Sequence, residues 1–469
     1  MNRERGVVRS WPRGPALALI LAAGLNATVW GAGGAFSRSA HGSTNTGVSR
    51  LPARYSRGEC GHCHDAHGGR EANATTYPYA LFAREEHVCW ACHDGSVTRA
   101  ADAKVPFSTT PPNTSTDYYK HPVARAYSGT TPSAHRAGES SPSAFAGGNR
   151  HAECTDCHNP HMAIRERGQG NPGGPNANRL PGALLGAAGL VVTAWQSAGQ
   201  PFSGASYRWQ ALISGRSSDE WQVCVKCHSS FTTLPTYTAV GSGDYQATKI
   251  TSALPKQVRE YQDVGQAFNP NNLSYHPVVA AGRNTTIPNG AFASPWSMTS
   301  TMGCSDCHTK GLGASGASGP HGSSNLHLLA LPIRLRPNTH YRDPSWGANI
   351  GQDPNELCFQ CHRWQTYVQK DADPVSNTGF RDGAGKNLHT RHMGHNAPGV
   401  TCYVCHDVHG TNKEHLINFD LSSVSSNFGS QGAYTHTARG GSCNLRCHGQ
   451  SHNPTVYSRE SGTGLRPLR

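Results

Sequence analysis

The sequence predicts a mostly irregular chain with short α-helices and a few short β-strands, organised around something other than a large side-chain core. Its 469 residues include 53 Gly and 30 Pro, a share above average usage that favours loops and turns. Charged residues make up 15% of the chain and apolar residues 36%, which is too little for long amphipathic helices or a large apolar core. The 16 Cys and 27 His indicate that a bound group fills the interior.

Residues 1–35 have the features of a secretory signal peptide. Four arginines precede an apolar stretch over residues 16–30, and small residues follow at Gly33 and Ala35, with a second cleavage option at Ser39. The stretch falls short of the ~20 apolar residues that a membrane span needs, although a single anchor is the alternative. We therefore expect an exported protein, periplasmic or at the cell surface, with no transmembrane span in the mature chain.

All sixteen cysteines lie in one recurring motif. Seven copies read C-x-x-C-H, and the eighth, Cys443 to His448, is one residue longer. Disulfides and zinc ribbons would not require a His after each second Cys. C-x-x-C-H is the attachment signature of c-type haem, so we expect eight covalently bound haem c groups. The attachment cysteines are Cys60, Cys63, Cys89, Cys92, Cys154, Cys157, Cys224, Cys227, Cys304, Cys307, Cys358, Cys361, Cys402, Cys405, Cys443 and Cys447, and the proximal iron ligands are His64, His93, His158, His228, His308, His362, His406 and His448.

The motifs fall into four pairs, which we call units 1 to 4. The predicted boundaries are 36–120 for unit 1, 121–275 for unit 2, 276–388 for unit 3, and 389–469 for unit 4 with a C-terminal tail. Helix-start signals, Ser217 with Glu220 and Asp353 with Glu356, precede two of the second motifs. We therefore expect the second motif of a pair on a short helix and the first motif in a loop.

Two further sets of histidines are candidates for the second axial ligand. One follows the first motif of each unit, and we call these the trailing histidines: His67, His161, His321 and His409. Three residues are too short a reach for a trailing His to bind the iron of its own motif, so it must serve another haem or none. The other set precedes the first motifs, and we call these the leading histidines: His41, His121, His276 and His392, with His389 and His395 as competitors of the last. With only 5 Met in the chain, nearly all sites are expected to be bis-His and of low potential.

The motifs "CGHCHDAHG", "CTDCHNPH", "CSDCH" and "CYVCHDVHG" resemble the doubled C-x-x-C-H family of multihaem c-type cytochromes. The resemblance covers most of the mature chain. The family includes outer-surface cytochromes of metal-respiring bacteria, some of which polymerise into haem-lined filaments. It implies transfer of electrons to redox partner proteins or extracellular acceptors, and a possible homopolymer. The expanded unit 3 and the longer eighth motif depart from the family pattern.

Electron transfer along closely spaced haems is therefore the expected function, and we do not expect an enzyme. The alternatives are an octahaem oxidoreductase acting on nitrite, hydroxylamine or a sulfur oxyanion, and a structural subunit. Such catalysis needs an iron with an open position, often marked by Lys in place of the motif His, whereas all eight motifs here keep His. The net charge of +12 does not indicate a nucleic-acid partner, because the propionates of eight haems would offset it. Since His41 lies close to the new N-terminus, we also expect that it could reach a haem of a neighbouring subunit.

Overall fold

A computed structural model gives the architecture for most of the motif-bearing parts of the chain. The described residues are 34–65, 80–98, 100–108, 119–121, 123, 152–165, 176–202, 205–213, 218–231, 263–285, 287–333, 355–369, 378–382, 384–393, 400–419, 424–425, 433–437, 440–447 and 450–458. Almost all of the expected signal segment lies outside these residues, as do His67, His395, His448, Ser217 and Asp353.

The helices in the described residues are all short. The α-helices span Ala35–Arg38, Glu85–Trp90, Lys104–Ser108, Cys154–Cys157, Trp221–Cys224, Val264–Ala267, Trp364–Tyr367, Leu388–Met393 and Cys402–Cys405. The 3-10 helices span Cys60–His62, Gly182–Leu184, Asn289–Ala291, Cys304–Asp306, Leu326–Leu328, Leu357–Gln360 and Glu414–Leu416. None of the helices in the described residues is long and apolar enough to cross a membrane.

The strands form four small antiparallel sheets. They are β1 Tyr119–Lys120, β2 Ala188–Ala194, β3 Ser206–Ala211, β4 Ser274–Tyr275, β5 Gly322–Ser323, β6 Gly410–Thr411, β7 Val424–Ser425, β8 Ala433–Thr437, β9 Gly440–Cys447 and β10 Gln450–Ser458. Strands β1 and β5, β2 and β3, and β4 and β6 make three two-stranded pairs, while β9 is bordered by β10 on one side and by β7 and β8 on the other. The predicted fold class, mostly irregular with short helices and few strands, is confirmed.

The apolar core is divided into small clusters that touch the motif cysteines. The largest contains Phe202, Trp221 and Phe268 and packs against Cys304 and Cys361. Another, built on β7, β9 and the region around Val404, packs against Cys405, Cys443 and Cys447 of the last two motifs. This distribution suits a protein whose interior is completed by groups attached at those cysteines.

Two expectations about the motifs were wrong. The first motifs are not in loops: Cys60, Cys154, Cys304 and Cys402 each begin a helical turn. A helical turn brings the two motif cysteines, which are three residues apart, and the following His to the same side of the chain. This holds for the first and the second motif of a pair alike. The second motif of unit 4 is not on a helix, since Cys443 and Cys447 lie on β9.

Candidate haem-binding site

Each C-x-x-C-H copy is closed by the same backbone hydrogen bond. In all seven copies the amide of the motif His donates to the carbonyl of the first Cys, as His64 does to Cys60 over 2.9 Å and His158 to Cys154 over 2.8 Å. This i to i−4 bond makes one helical turn. Two thiols and one imidazole are thereby held on a single compact element. All sixteen cysteines lie among the described residues, and none of them forms a disulfide bond.

Sixteen histidines form eight pairs in which two imidazole rings face each other at nearly constant distance. We call these the opposed pairs. They are His64–His161 at 5.9 Å, His93–His41 at 6.1 Å, His158–His321 at 6.0 Å, His228–His121 at 6.0 Å, His308–His409 at 6.2 Å, His362–His276 at 6.3 Å, His406–His389 at 6.2 Å and His392–His452 at 6.3 Å, measured between ring centroids.

The spacing of the opposed pairs fits an iron between two imidazoles. A metal–imidazole bond is about 2 Å and the nitrogen lies about 1.1 Å from its ring centre, so two imidazoles on opposite sides of one metal have centres about 6.2 Å apart. The eight distances, 5.9 to 6.3 Å, bracket this value. Within the described residues, no group of three or more His, Cys, Asp or Glu side chains is placed to hold a metal ion. The donor set therefore suits a bis-imidazole haem and not a zinc tetrad.

The opposed pairs follow a rule of offset between units. In units 1 to 3 the motif His of the first motif faces the trailing His of the next unit, as His64 of unit 1 faces His161 of unit 2. The motif His of the second motif faces the leading His of its own unit, as His93 faces His41. Units 2 and 3 repeat both arrangements. Units 1 to 3 therefore each take one of their two distal imidazoles from the next unit, whereas His406 of unit 4 faces His389 of its own unit.

In units 1 to 3 a hydrogen bond links the leading His to the backbone beside the trailing His of the next unit. The leading His points Nδ1 at the carbonyl of the residue just before that trailing His: His41 at Pro160 (3.1 Å), His121 at Pro320 (2.6 Å) and His276 at Val408 (2.8 Å). A metal-binding His commonly donates its other ring N–H to a carbonyl, which fixes the tautomer and the ring orientation. The bonds thus leave Nε2 as the iron-binding nitrogen in all three.

Two short strand pairs hold this junction in register. Tyr119 of β1, two residues before His121, lies opposite Ser323 of β5, two residues after His321. Tyr275 of β4 lies opposite Gly410 of β6 in the same way, next to His276 and His409. Gly410 is required there because a Cβ would lie 2.0 Å from the Ala267 carbonyl oxygen.

Strained backbone presents the carbonyls that orient two motif histidines. His327 and His415 adopt φ values of +61° and +58°, a left-handed conformation that is unfavourable for a side chain of this size. Their carbonyls lie 2.8 Å from Nδ1 of His308 and His406, respectively. These positions are equivalent in the segments "HGSSNLHLL" and "HGTNKEHLI", so the shared text reflects a shared orienting role. Strain of this kind tends to occur at functional sites.

Burial favours the neutral form of several opposed imidazoles. It lowers the pKa of His321 and His409 to about 4 and that of His362 to about 3, with smaller contributions from neighbouring histidines. The neutral form is the one that binds a metal. Burial likewise raises the pKa of the Cys157 and Cys307 thiols to about 12.

Consecutive sites adjoin one another in chain order. A hydrogen bond between the Cys154 and Cys89 side chains, together with burial, raises the pKa of Cys154 well above its ordinary value, and a bond with Cys304 raises that of Cys224 in the same way. A cysteine side chain of unit 1 therefore contacts one of unit 2, and another cysteine of unit 2 contacts one of unit 3. Sites within a unit are also neighbours: besides burial, an adjoining thiol raises the pKa of Cys63 (from Cys92), Cys227 (from Cys157) and Cys361 (from Cys307).

Acidic side chains connect unit 1 to unit 2 and unit 2 to unit 3. Glu85 accepts hydrogen bonds from the Thr155 amide and hydroxyl, both at 2.8 Å. Glu220 accepts the corresponding bonds from Ser305, both at 3.0 Å. Each Glu precedes the first Cys of a second motif by four residues, and each hydroxyl residue follows the first Cys of the next unit. Burial raises the pKa of Glu220 to about 7 despite these bonds.

The structure brings together most of the predicted ligands but changes several assignments. His392 does not compete with His389: both lie on the Leu388–Met393 helix and each faces a different ring. His41 faces His93 of its own chain, so the expected reach to a neighbouring subunit is wrong, because its ring is already held by Pro160. His452 was not among the ligands predicted from the sequence, and the extra residue of the eighth motif was the available signal.

Comparison with known protein families indicates the class of protein to which the site corresponds. The family model of the doubled CXXCH motif matches residues 53–98, which contain both motifs of unit 1. Searches of curated proteins and of solved structures found no match. The doubled motif, with the helical attachment turns and the opposed pairs, indicates a multihaem c-type cytochrome with covalently bound haem c, a class of electron-transfer protein.

Proposed function

We propose that the protein is an exported octahaem cytochrome that carries electrons along a chain of closely spaced bis-His haems. The observation that carries the proposal is the set of eight opposed pairs, all at iron-binding distance. Seven contain a C-x-x-C-H histidine, and the eighth lies beside Cys447. Haem supplies a one-electron couple between ferric and ferrous iron, and two imidazoles give that couple a low potential.

In this proposal the order of the haems in space is their order along the chain. The contacts between Cys89 and Cys154 and between Cys224 and Cys304 bring attachment sites of successive units together. Units 3 and 4 adjoin at His362 and His406. Burial is the main cause that lowers the pKa of His362, and the neighbouring His276 and His406 lower it further. His389 and His392 then share one helix and link the last two sites. No step of the path requires an electron to bypass a site.

An electron carrier is favoured over an enzyme because each opposed pair supplies imidazoles to both sides of its iron. A nitrite, hydroxylamine or sulfur-oxyanion reductase would need one iron with an exchangeable position. The chain offers instead orienting bonds to Nδ1 on both partners of two pairs. In one, His41 bonds to Pro160 and His93 to Ala101, and in the other His392 bonds to Leu388 and His452 to Thr455. These bonds hold the imidazole rings in one orientation, which favours permanent ligation of the iron over an exchangeable position.

The test is the spin state of the purified native protein. We expect the ferric and ferrous spectra to be low-spin throughout, a haem assay to give eight haems per chain, and cyanide and nitrite to leave the spectra unchanged. A high-spin fraction that binds nitrite and turns it over would refute the carrier in favour of the enzyme.

Extracellular transfer and polymerisation form the wider part of the proposal. The predicted signal peptide supports export, and cell fractionation of the haem-stained protein tests it. By the offset rule, a trailing His serves the unit before its own, so His67 of unit 1 has no preceding unit to serve, and the eight opposed pairs leave no iron of a second copy for it. We propose that copies of the chain join head to tail through protein contacts, with no axial ligand crossing between them. Such head-to-tail contacts generate filaments unless they close a ring.

The polymer is tested by electron microscopy of the parent and of two matched variants. His67→Ala should leave both the filaments and the low-spin irons unchanged. His41→Ala should leave the filaments and open one iron, since His41 faces His93 within the chain. A parent that is monomeric at all concentrations would refute the polymer but not the relay.

A further inference from the structure

The eighth attachment site is built on a strand, and this changes which histidine can serve it. Cys443 and Cys447 both lie on β9, Gly440–Cys447. Side chains alternate between the two faces of a strand, so residues four apart share a face and residues three apart do not. The additional residue in C-x-x-x-C is therefore what a strand requires to present two thiols on one side.

Burial shows which face of β9 carries the thiols. Cys443, Leu445 and Cys447 alternate along the strand, and all three belong to the apolar cluster that contains Val404 and Ile417. Arg446, between two of them, is exposed. By the same alternation, a residue that directly follows a Cys on a strand projects away from that Cys. The C-H adjacency that works on a helical turn is thus unsuited to a strand-borne site.

His452 occupies the position that the strand geometry favours. It lies on β10 directly opposite Leu445 of β9. Residues directly opposite in an antiparallel pair project to the same face, so His452 shares the face of Cys443 and Cys447. Its Nε2 lies 3.9 Å from Sγ of Cys447.

A second imidazole faces His452 from outside the sheet. The ring of His392 lies 6.3 Å from it, with the planes 30° apart, at the same separation as the other opposed pairs. In both rings Nδ1 is engaged: that of His392 lies 2.7 Å from the Leu388 carbonyl and that of His452 lies 3.0 Å from Thr455 Oγ1. Nε2 is therefore the metal-binding nitrogen on both sides.

Aromatic packing fixes the helix that carries His392 against the sheet. Phe380 lies 5.6 Å from the His392 ring and 5.0 Å, edge to face, from the ring of Tyr457 on β10. Tyr457 lies opposite Gly441, on the same side of the sheet as Cys443. The two imidazoles therefore face each other across a site with an apolar wall.

We propose that His452 and His392 are the axial ligands of the eighth haem, and that the motif-adjacent His448 does not bind its iron. The assignment rests on the proposed function, because it presupposes a haem at Cys443 and Cys447. The site would then be a c-type attachment in which the ligand is supplied across a β-hairpin, five residues after the second Cys.

The experiment compares His452→Ala with the matched control His448→Ala in the full-length exported protein. We expect His452→Ala to convert one iron in eight to a high-spin form that binds cyanide, and His448→Ala to leave all irons low-spin. His452→Met guards against misfolding, because a Met ligand should keep the iron low-spin while raising the potential of that haem alone. A high-spin iron in His448→Ala with an unchanged His452→Ala would overturn the assignment.

Peptide mapping of the parent separates this inference from the relay. A haem adduct on the peptide containing Cys443 and Cys447 is expected. A parent with seven adducts and none on that peptide would overturn both the ligand assignment and the count of eight, but would leave a seven-haem relay. A parent with eight adducts in which His392→Ala opens no iron would overturn the ligand assignment alone.

Discussion

Replacing His276 with Ala should open one iron and no other. The His276 ring faces that of His362 at 6.3 Å, so the affected haem is the one attached at Cys358 and Cys361. The other seven opposed pairs do not contain His276 and should stay low-spin. We therefore expect one eighth of the haem to become high-spin and to bind cyanide. Its potential should rise, since an imidazole that stabilises ferric iron has been removed.

The same variant should also weaken the junction between units 3 and 4. Nδ1 of His276 lies 2.8 Å from the Val408 carbonyl, next to His409. Leaving a buried acceptor without its donor costs about 1–3 kcal/mol, less where water enters the cavity. Thermal unfolding should therefore begin at a lower temperature than in the parent.

Electron paramagnetic resonance and a cyanide titration measure the number of opened irons. His87→Ala is the matched control, because His87 is exposed, its ring packs on Trp90, and it is not a member of any opposed pair. An unchanged spectrum for His276→Ala, or the opening of more than one iron, would refute the inference that each opposed pair binds one iron.

Three further outcomes are expected. Denaturing mass spectrometry should show eight haem adducts on the mature chain, and five or fewer would contradict the octahaem proposal. Burial raises the pKa of Glu220 to about 7, so its carboxyl gains negative charge as pH rises through 7 and should lower the potential of the haems beside it. For a carboxylate about 10 Å from iron the effect is about 1.7 kcal/mol, or roughly 70 mV, and a potentiometric titration of Glu220→Gln should show a weaker pH dependence. Gly410→Ala would place a Cβ 2.0 Å from the Ala267 carbonyl oxygen, so it should lower stability by about 1–3 kcal/mol and release His409, seen as one high-spin iron.

Local features were predictable from the sequence because they depend on a few adjacent residues. The C-x-x-C-H turn is closed by one hydrogen bond within five residues, as from His158 to Cys154. The leading His121 and His276 were also recognisable, because each precedes a Pro and so lies in extended chain. The irregular fold class followed from composition.

Partner choice was not predictable, since it depends on contacts between distant segments. Nothing near His161 indicates that its ring lies against that of His64 in the preceding unit. The roles of His389 and His452 were missed for a similar reason. The first needed the knowledge that one helix serves two sites, and the second needed the knowledge that the last motif lies on a strand.

The offset between units has a consequence for how the protein is made. Leading histidines are oriented by carbonyls 119, 199 and 132 residues further along the chain. If the protein is exported with its N-terminal part first, as proposed, the first-motif iron of each of units 1 to 3 would lack its second imidazole until the following unit has crossed the membrane and folded. Such long-range closures slow folding. Deletion of a middle unit would therefore also remove an imidazole ligand from the preceding unit. Haem ligation should be completed one unit at a time, with each unit completed only after the next one has folded.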